Sequence, residues 1–120
     1  MVDAVQAEEA ARRSAEEWLS HIDSGNAEES WRGASTAFKD AVTRDAWAAS
    51  LGKVQRALGK PLHRALRSAE YHTELPGAPD GHYVVLKYDT KFEHKERGEE
   101  TVVPQLDRDE VWRVSGYFVK

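Results

Sequence analysis

HYVVLKYDTKFEHK, residues 82–95, decides the fold. Val84, Leu86, Tyr88, Thr90 and Phe92 recur at every second position, and Lys87, Asp89, Lys91 and Glu93 fall between them. Strict alternation of this kind describes a strand with one face in a core and the other in water. Just before it, PGAPDG (76–81) packs two prolines, two glycines and an Asp-Gly pair into six residues, a rigid hairpin connection. The strand on the far side of that connection is LHRALRSAEYHTEL (62–75). Its alternation is imperfect. A bulge near Ser68 reconciles Leu62 and Leu66 with Ala69 and Tyr71 on one face.

Downstream, KERGEE (95–100) turns the chain and TVVPQL (101–106) forms a third strand. Pro104 has no N–H to give a ladder, so it marks a bulge or an unpaired edge. The segment DRDE (107–110) turns the chain again into VWRVSGYFVK (111–120). Alternation there sets Trp112, Val114, Gly116 and Phe118 against Val111, Arg113, Ser115, Tyr117 and Val119. The first set is expected in the core, with Gly116 as a place to bend or bulge. Four strands with short turns make an antiparallel meander.

The first half of the chain follows a helical period instead. Ala11, Ala15, Trp18, Leu19 and Ile22 share a face, and Gly25 suits a helix stop. Asn26 with Glu29 resembles a capping box opening a second helix, which carries Trp31 and extends its apolar side through Ala34 and Phe38. Trp47, Leu51, Val54 and Leu58 then fall at i, i+4, i+7 and i+11 behind Thr43 as N-cap, and Gly59 and Pro61 end that helix. The expectation is α+β: three N-terminal helices packed on a curved four-stranded antiparallel sheet. One domain spans 1–120, with a helical part at about 3–59 and the sheet at about 61–120.

Composition removes several function classes. Cysteine is absent, which excludes disulfides, thiolate metal sites and a cysteine nucleophile. The net charge is −4 with no long Lys/Arg cluster, which argues against a general nucleic-acid binder. No apolar run approaches the roughly 20 residues of a membrane span. The N-terminus, MVDAVQAEEAARR, is charged from its third residue and has no hydrophobic signal core.

Several segments resemble one bacterial family, the domain-of-unknown-function 4019 family: ASTAFKDAVTRDAW (34–47), LGKPLHRALRSAEYHTELPGAPDGHYVVLKYDTKFEHK (58–95), ETVVPQLDRD (100–109) and WRVSGYFVK (112–120). The hairpin LPGAPDG followed by YVVL and the terminal WRVSGY carry the most specific part of the resemblance. It implies a cystatin-like cone of the nuclear-transport-factor-2 type, with helices closing over a curved sheet. It also implies export, so that this chain would be a periplasmic or secreted mature form without its signal. A cytoplasmic chain is the alternative. The family supplies no catalytic residues to carry over. At DRDEVW (107–112) this chain lacks the glycine that the family pattern commonly places in the turn.

Candidate sites were weighed against ordinary structural roles. The histidines, His21, His63, His72, His82 and His94, include no His-x-His or His-x-x-x-His pair, so no metal and no cofactor is assigned. The clearest strand puts no carboxylate on its apolar face, so no catalytic residue is assigned. The aromatics offer an apolar ligand pocket, with Trp31, Trp47, Tyr71, Tyr88 and Trp112 as its candidate lining. Tyr83, Val85, Val111, Tyr117 and Val119 form a candidate interface on the outer sheet face, for a homodimer or another protein. The run HKERGEE (94–100) reads as a solvated hairpin tip. The functional expectation is a non-enzymatic interaction or small-ligand-binding module. The alternative is a small isomerase or dehydratase working through a cavity Tyr or His.

Overall fold

The computed structural model describes residues 3–120. The elements run α1 (Ala4–Asp23), α2 (Ala27–Arg32), α3 (Thr36–Ala41), α4 (Arg44–Leu58), β1 (Pro61–His72), β2 (Tyr83–Phe92), β3 (Lys95–Leu106) and β4 (Trp112–Val119). The strands form one antiparallel sheet in the order β1-β2-β3-β4, and α1 contacts all four of them. The α+β arrangement of N-terminal helices on a four-stranded antiparallel sheet is therefore the observed one.

Alanine lets α1 lie close to the sheet. Ala7, Ala11 and Ala15 are buried along one stripe, followed by Trp18, Leu19 and Ile22. A helix faced with methyl groups can approach a sheet more closely than one faced with leucines. Gly25 ends α1 with φ 75°, and the N–H groups of Gly25 and Asn26 bond to the carbonyls of Ile22 and His21, a Schellman closure. Asn26 then accepts from the Glu29 N–H at 3.2 Å and opens α2.

The expected second helix is two helices. Gly33 ends α2, and Ser35 caps α3 by accepting from the Phe38 N–H at 3.1 Å. The Ser35 N–H is itself taken by the Val114 carbonyl of β4 at 2.8 Å. The break is thus enforced by a side chain competing with the helix and by a tertiary bond to the sheet. Helix α4 begins as expected at Thr43, which accepts from the Ala46 N–H. It ends at Gly59, φ 74°, where a Cβ would come within 2.7 Å of the Glu93 Cβ. This close approach docks the β2–β3 hairpin tip on the end of α4, where His94 N–H bonds to the Leu58 carbonyl.

Strand β2 keeps the predicted faces. Val84, Leu86, Tyr88, Thr90 and Phe92 are all buried. In β1 the register shifts between Leu66 and Ser68, the bulge anticipated near Ser68, and Leu66, Ala69 and Tyr71 pack against the core. Leu62 does not join them. A second shift between Pro61 and His63 leaves it 60% exposed.

Strand β4 departs from simple alternation. Val103 pairs with Gly116, but Pro104 pairs with Val114, so Ser115 is an extra residue. A bulge of one residue reverses the facing of everything beyond it. Phe118, expected in the core, is 63% exposed. Tyr117, expected outside, packs against the core with its ring 5.4 Å from Trp18, edge to face.

The run HKERGEE is also more than a hairpin tip. Only Glu93 and His94 turn; β3 begins at Lys95. Gly98 is buried, because a Cβ there would lie 2.7 Å from the Phe92 ring. Glu100 is fully buried.

The β3–β4 turn is tied to the helices through Asp107. It accepts from the Thr36 N–H at 3.0 Å, the Thr36 hydroxyl at 3.1 Å and Arg113 at 3.3 Å. Burial alone pushes this carboxyl up, but the bonds from Thr36, the Arg108 N–H and Arg113 outweigh burial and hold it at about 2. In the same turn Glu110 adopts φ 65°, a left-handed conformation that favours glycine.

Candidate functional site

Glu100 projects from the inner face of β3 into a polar cluster enclosed by the core. One oxygen accepts from Arg64 Nε at 2.7 Å and from the Thr90 hydroxyl at 2.6 Å. The other accepts from Arg64 Nη2 at 3.2 Å and from the Tyr117 hydroxyl. Arg64 in turn grips Asp23 at the end of α1, with bonds of 2.8 and 3.0 Å. One guanidinium is therefore held by two carboxylates, side-on by Glu100 through Nε and Nη2 and end-on by Asp23 through Nη1 and Nη2. Burial works against the Arg64 charge, yet the bonds to Asp23 and Glu100 raise its pKa above the ordinary arginine value. For Tyr117, burial and then the adjoining Glu100 push the phenol up as well. Every lone-pair direction of Glu100 has a donor. Among the described residues no buried side-chain polar atom lacks a partner.

Tyr117 joins this cluster to an aromatic row. Its ring meets Trp18, Trp18 lies 6.0 Å from Trp47, and Trp47 lies 5.1 Å from Phe38. The two indoles share one residue: Trp18 Nε1 donates to the Ser30 carbonyl at 2.7 Å and Trp47 Nε1 to the Ser30 hydroxyl at 2.9 Å. This explains a fully buried serine on α2 and fixes both rings.

Beside the row a cleft of about 390 Å³ opens between α4 and the ends of β3 and β4. Trp47, Leu51, Val54 and Leu58 line it from the helix, and Tyr117 and Val119 line it from the sheet. Among the described residues its charged lining side chains are Lys95 and Lys120, both exposed. A void of about 20 Å³ shares Leu51, Val54, Leu58 and Tyr117 with the cleft and reaches Glu100. That is room for about one water.

Of the five aromatics expected to line a pocket, only Trp47 lines this cleft. The structure does not bring the other four to it. Trp31 donates to the Val42 carbonyl at 2.8 Å. Tyr71 stacks on His82, rings 5.9 Å apart and 8° from parallel, with its hydroxyl on His82 Nδ1. Tyr88 is buried and donates to Glu16 at 3.3 Å; burial, then Glu16, raise its pKa. Trp112 is half-buried, and its carbonyl accepts from the Ser14 hydroxyl at 2.7 Å.

The five expected interface residues also separate. Tyr117 and Val119 belong to the inner side, because the Ser115 bulge turns them there. Tyr83 is 3% exposed, with its hydroxyl on the Pro79 carbonyl in the β1–β2 connection. Val85 is half-buried, and Val111 is 46% exposed in the turn. The outer face around Arg67 is charged, with ion pairs to Asp89 at 3.2 Å and to Glu99. His72 sits 3.4 Å from Glu70 and pairs across the ladder with Tyr83. Among the described residues no group of three or more His, Cys, Asp or Glu side chains could hold a metal ion, and no helix is long and apolar enough to cross a membrane.

The sequence reading placed Thr90 on the inner face but missed its partners Glu100 and Arg64, and Asp23 behind them. The available signal was Thr90 facing inward on β2. Its cross-strand neighbour on β1, Arg64, binds the buried carboxylate.

The chain belongs to the family described as "Protein of unknown function (DUF4019)", whose model matches residues 14–117. No curated protein and no solved structure matches it with significance.

Proposed function

We propose that this chain is a non-enzymatic binding module that holds a small apolar ligand in the cleft between α4 and β4. The observation that carries this reading is the cleft itself. At about 390 Å³ it falls within the size range of small-molecule sites, and aromatic and aliphatic side chains dominate its lining. Helices laid over a bulged antiparallel sheet agree with the cystatin-like cone that the family resemblance implies, and the cleft would be the mouth of that cone.

The groups around the cleft support binding over chemistry. A general acid or base needs a free lone pair or proton directed at the substrate. Here the Tyr117 hydroxyl is committed to Glu100, and Glu100 is saturated by Arg64, Thr90 and Tyr117. The Tyr71–His82 pair, the nearest thing to an acid–base couple, is not part of the cleft lining.

The test is titration with N-phenyl-1-naphthylamine, an uncharged dye that fluoresces in apolar sites. Saturable micromolar binding is expected. Ala57→Trp fills the cleft from an exposed helix position and should abolish that binding while leaving the far-ultraviolet spectrum unchanged. No saturable binding, or binding indifferent to Ala57→Trp, overturns the reading.

A further inference from the structure

We infer that the cleft selects amphipathic anions: a short apolar chain or ring system ending in a carboxylate or similar monoanion. The inference rests on the cleft being a ligand site and adds the chemistry of its occupant.

The apolar wall runs along α4 through Trp47, Leu51, Val54 and Leu58, and Tyr117 faces it from β4. Apart from the exposed Ser50 hydroxyl on α4, no lining side chain among the described residues offers a free hydrogen-bonding group to the apolar part of the cleft. The Trp47 N–H is taken by Ser30 and the Tyr117 hydroxyl by Glu100. The body of the ligand must therefore be apolar. Its volume is bounded too: about 390 Å³ accommodates roughly a dozen non-hydrogen atoms at about 30 Å³ each.

Among the described residues the charged side chains that line the cleft are of one sign. Lys95 opens β3 and Lys120 follows β4, and the Lys120 N–H bonds to the Glu99 carbonyl, so both lie at the same end of the sheet. Neither forms an ion pair among the described residues. The only lysine that does is Lys87, 4.0 Å from Glu99 on the outer face. The whole chain carries a net charge of −4, so two cations with no carboxylate side chain beside them in the lining are a local reversal of the molecule's sign. Lysine stems cover apolar surface while their ammonium heads stay in water, which suits an anionic head held at the surface above a buried tail. A cationic head would meet two like charges and no partner.

The probes are decanoate, 1-decanol and decyltrimethylammonium, each used to displace bound N-phenyl-1-naphthylamine. They share a ten-carbon tail and differ in the charge of the head. Decanoate should bind about two- to fivefold tighter than decanol, as expected for an ion interaction at an exposed site. Decyltrimethylammonium should bind more weakly than decanol. The decanoate preference should fall to near parity in Lys95→Gln/Lys120→Gln and should shrink between low and high salt. Both lysines are exposed, so the double variant should keep the fold, and an unchanged far-ultraviolet spectrum and urea midpoint verify that. Equal affinity for decanoate and decanol, or a preference untouched by the double variant, overturns the anion inference and leaves the apolar cleft standing. A preference for the ammonium overturns it outright. Failure of all three probes to displace dye overturns the cleft reading as well.

Discussion

Arg64 meets Glu100 side-on, with Nε at 2.7 Å from one oxygen and Nη2 at 3.2 Å from the other. Glu100 is fully buried, so its charge depends on this contact in a way that a surface ion pair would not. Arg64→Met should lower stability by about 3–5 kcal/mol, the range for stranding one member of a buried pair. Glu100→Leu should be the milder change, since Arg64 keeps Asp23 as a partner. Urea denaturation gives both values. Equal losses, or a loss below about 1 kcal/mol for Arg64→Met, would show that Glu100 is not held by Arg64 as described.

Trp47 is fixed by Ser30 and by Phe38 and forms part of both core and cleft. Trp47→Ala should cost about 3–5 kcal/mol. A loss under about 0.5 kcal/mol, the range of neutral surface sites, would place the ring outside the core. Trp47→Phe should retain most of the stability but remove the indole donor, which leaves the buried Ser30 hydroxyl short of one partner.

Glu110 occupies a left-handed conformation, φ 65°, that suits glycine. Glu110→Gly should stabilise the protein by about 0.5–1 kcal/mol, because relief of side-chain strain outweighs the added freedom of the unfolded chain. Glu110→Val should destabilise it, since a β-branched residue suits that region least. Thermal unfolding of the two variants should move the midpoint in opposite directions.

Asp107 gives the acid limb of the stability curve a definite shape. Its carboxyl is at about 2 in the folded protein against an ordinary 3.8. A depressed folded value means that its contribution is complete above about pH 4 and disappears as the pH falls toward 2. Asp107→Asn should therefore lower stability at pH 7 and flatten its dependence between about pH 4 and 2. An unchanged slope in that window would show that the Thr36 and Arg113 bonds do not hold the carboxylate.

These residues also show which parts of the structure were legible in the sequence. The faces of β2, the caps at Asn26 and Thr43, the stops at Gly25 and Gly59 and the Ser68 bulge are local, and local pattern reveals them. The split of α2 from α3 depends on Val114, some 80 positions away, and no window of sequence contains that bond. Glu100 was hidden differently. It stands in a run of charge that ordinarily means solvent, and its burial is made tolerable by Arg64, Thr90 and Tyr117 from three other strands. Gly116 did mark the bend in β4, but the extra residue is its neighbour Ser115, and only the pairing with β3 shows that.

That one extra residue makes the end of the chain sensitive to register more than to composition. Deleting Ser115 would remove the bulge and keep Tyr117 inside, whereas pairing Ser115 into the ladder as an ordinary residue would exchange the places of Tyr117 and Phe118. In that register Glu100 would lose its phenol donor, Trp18 its edge-to-face neighbour, and the cleft part of its wall, all without a single substitution. For variants in this segment, a shift of frame by one position is thus a larger perturbation than most changes of side chain.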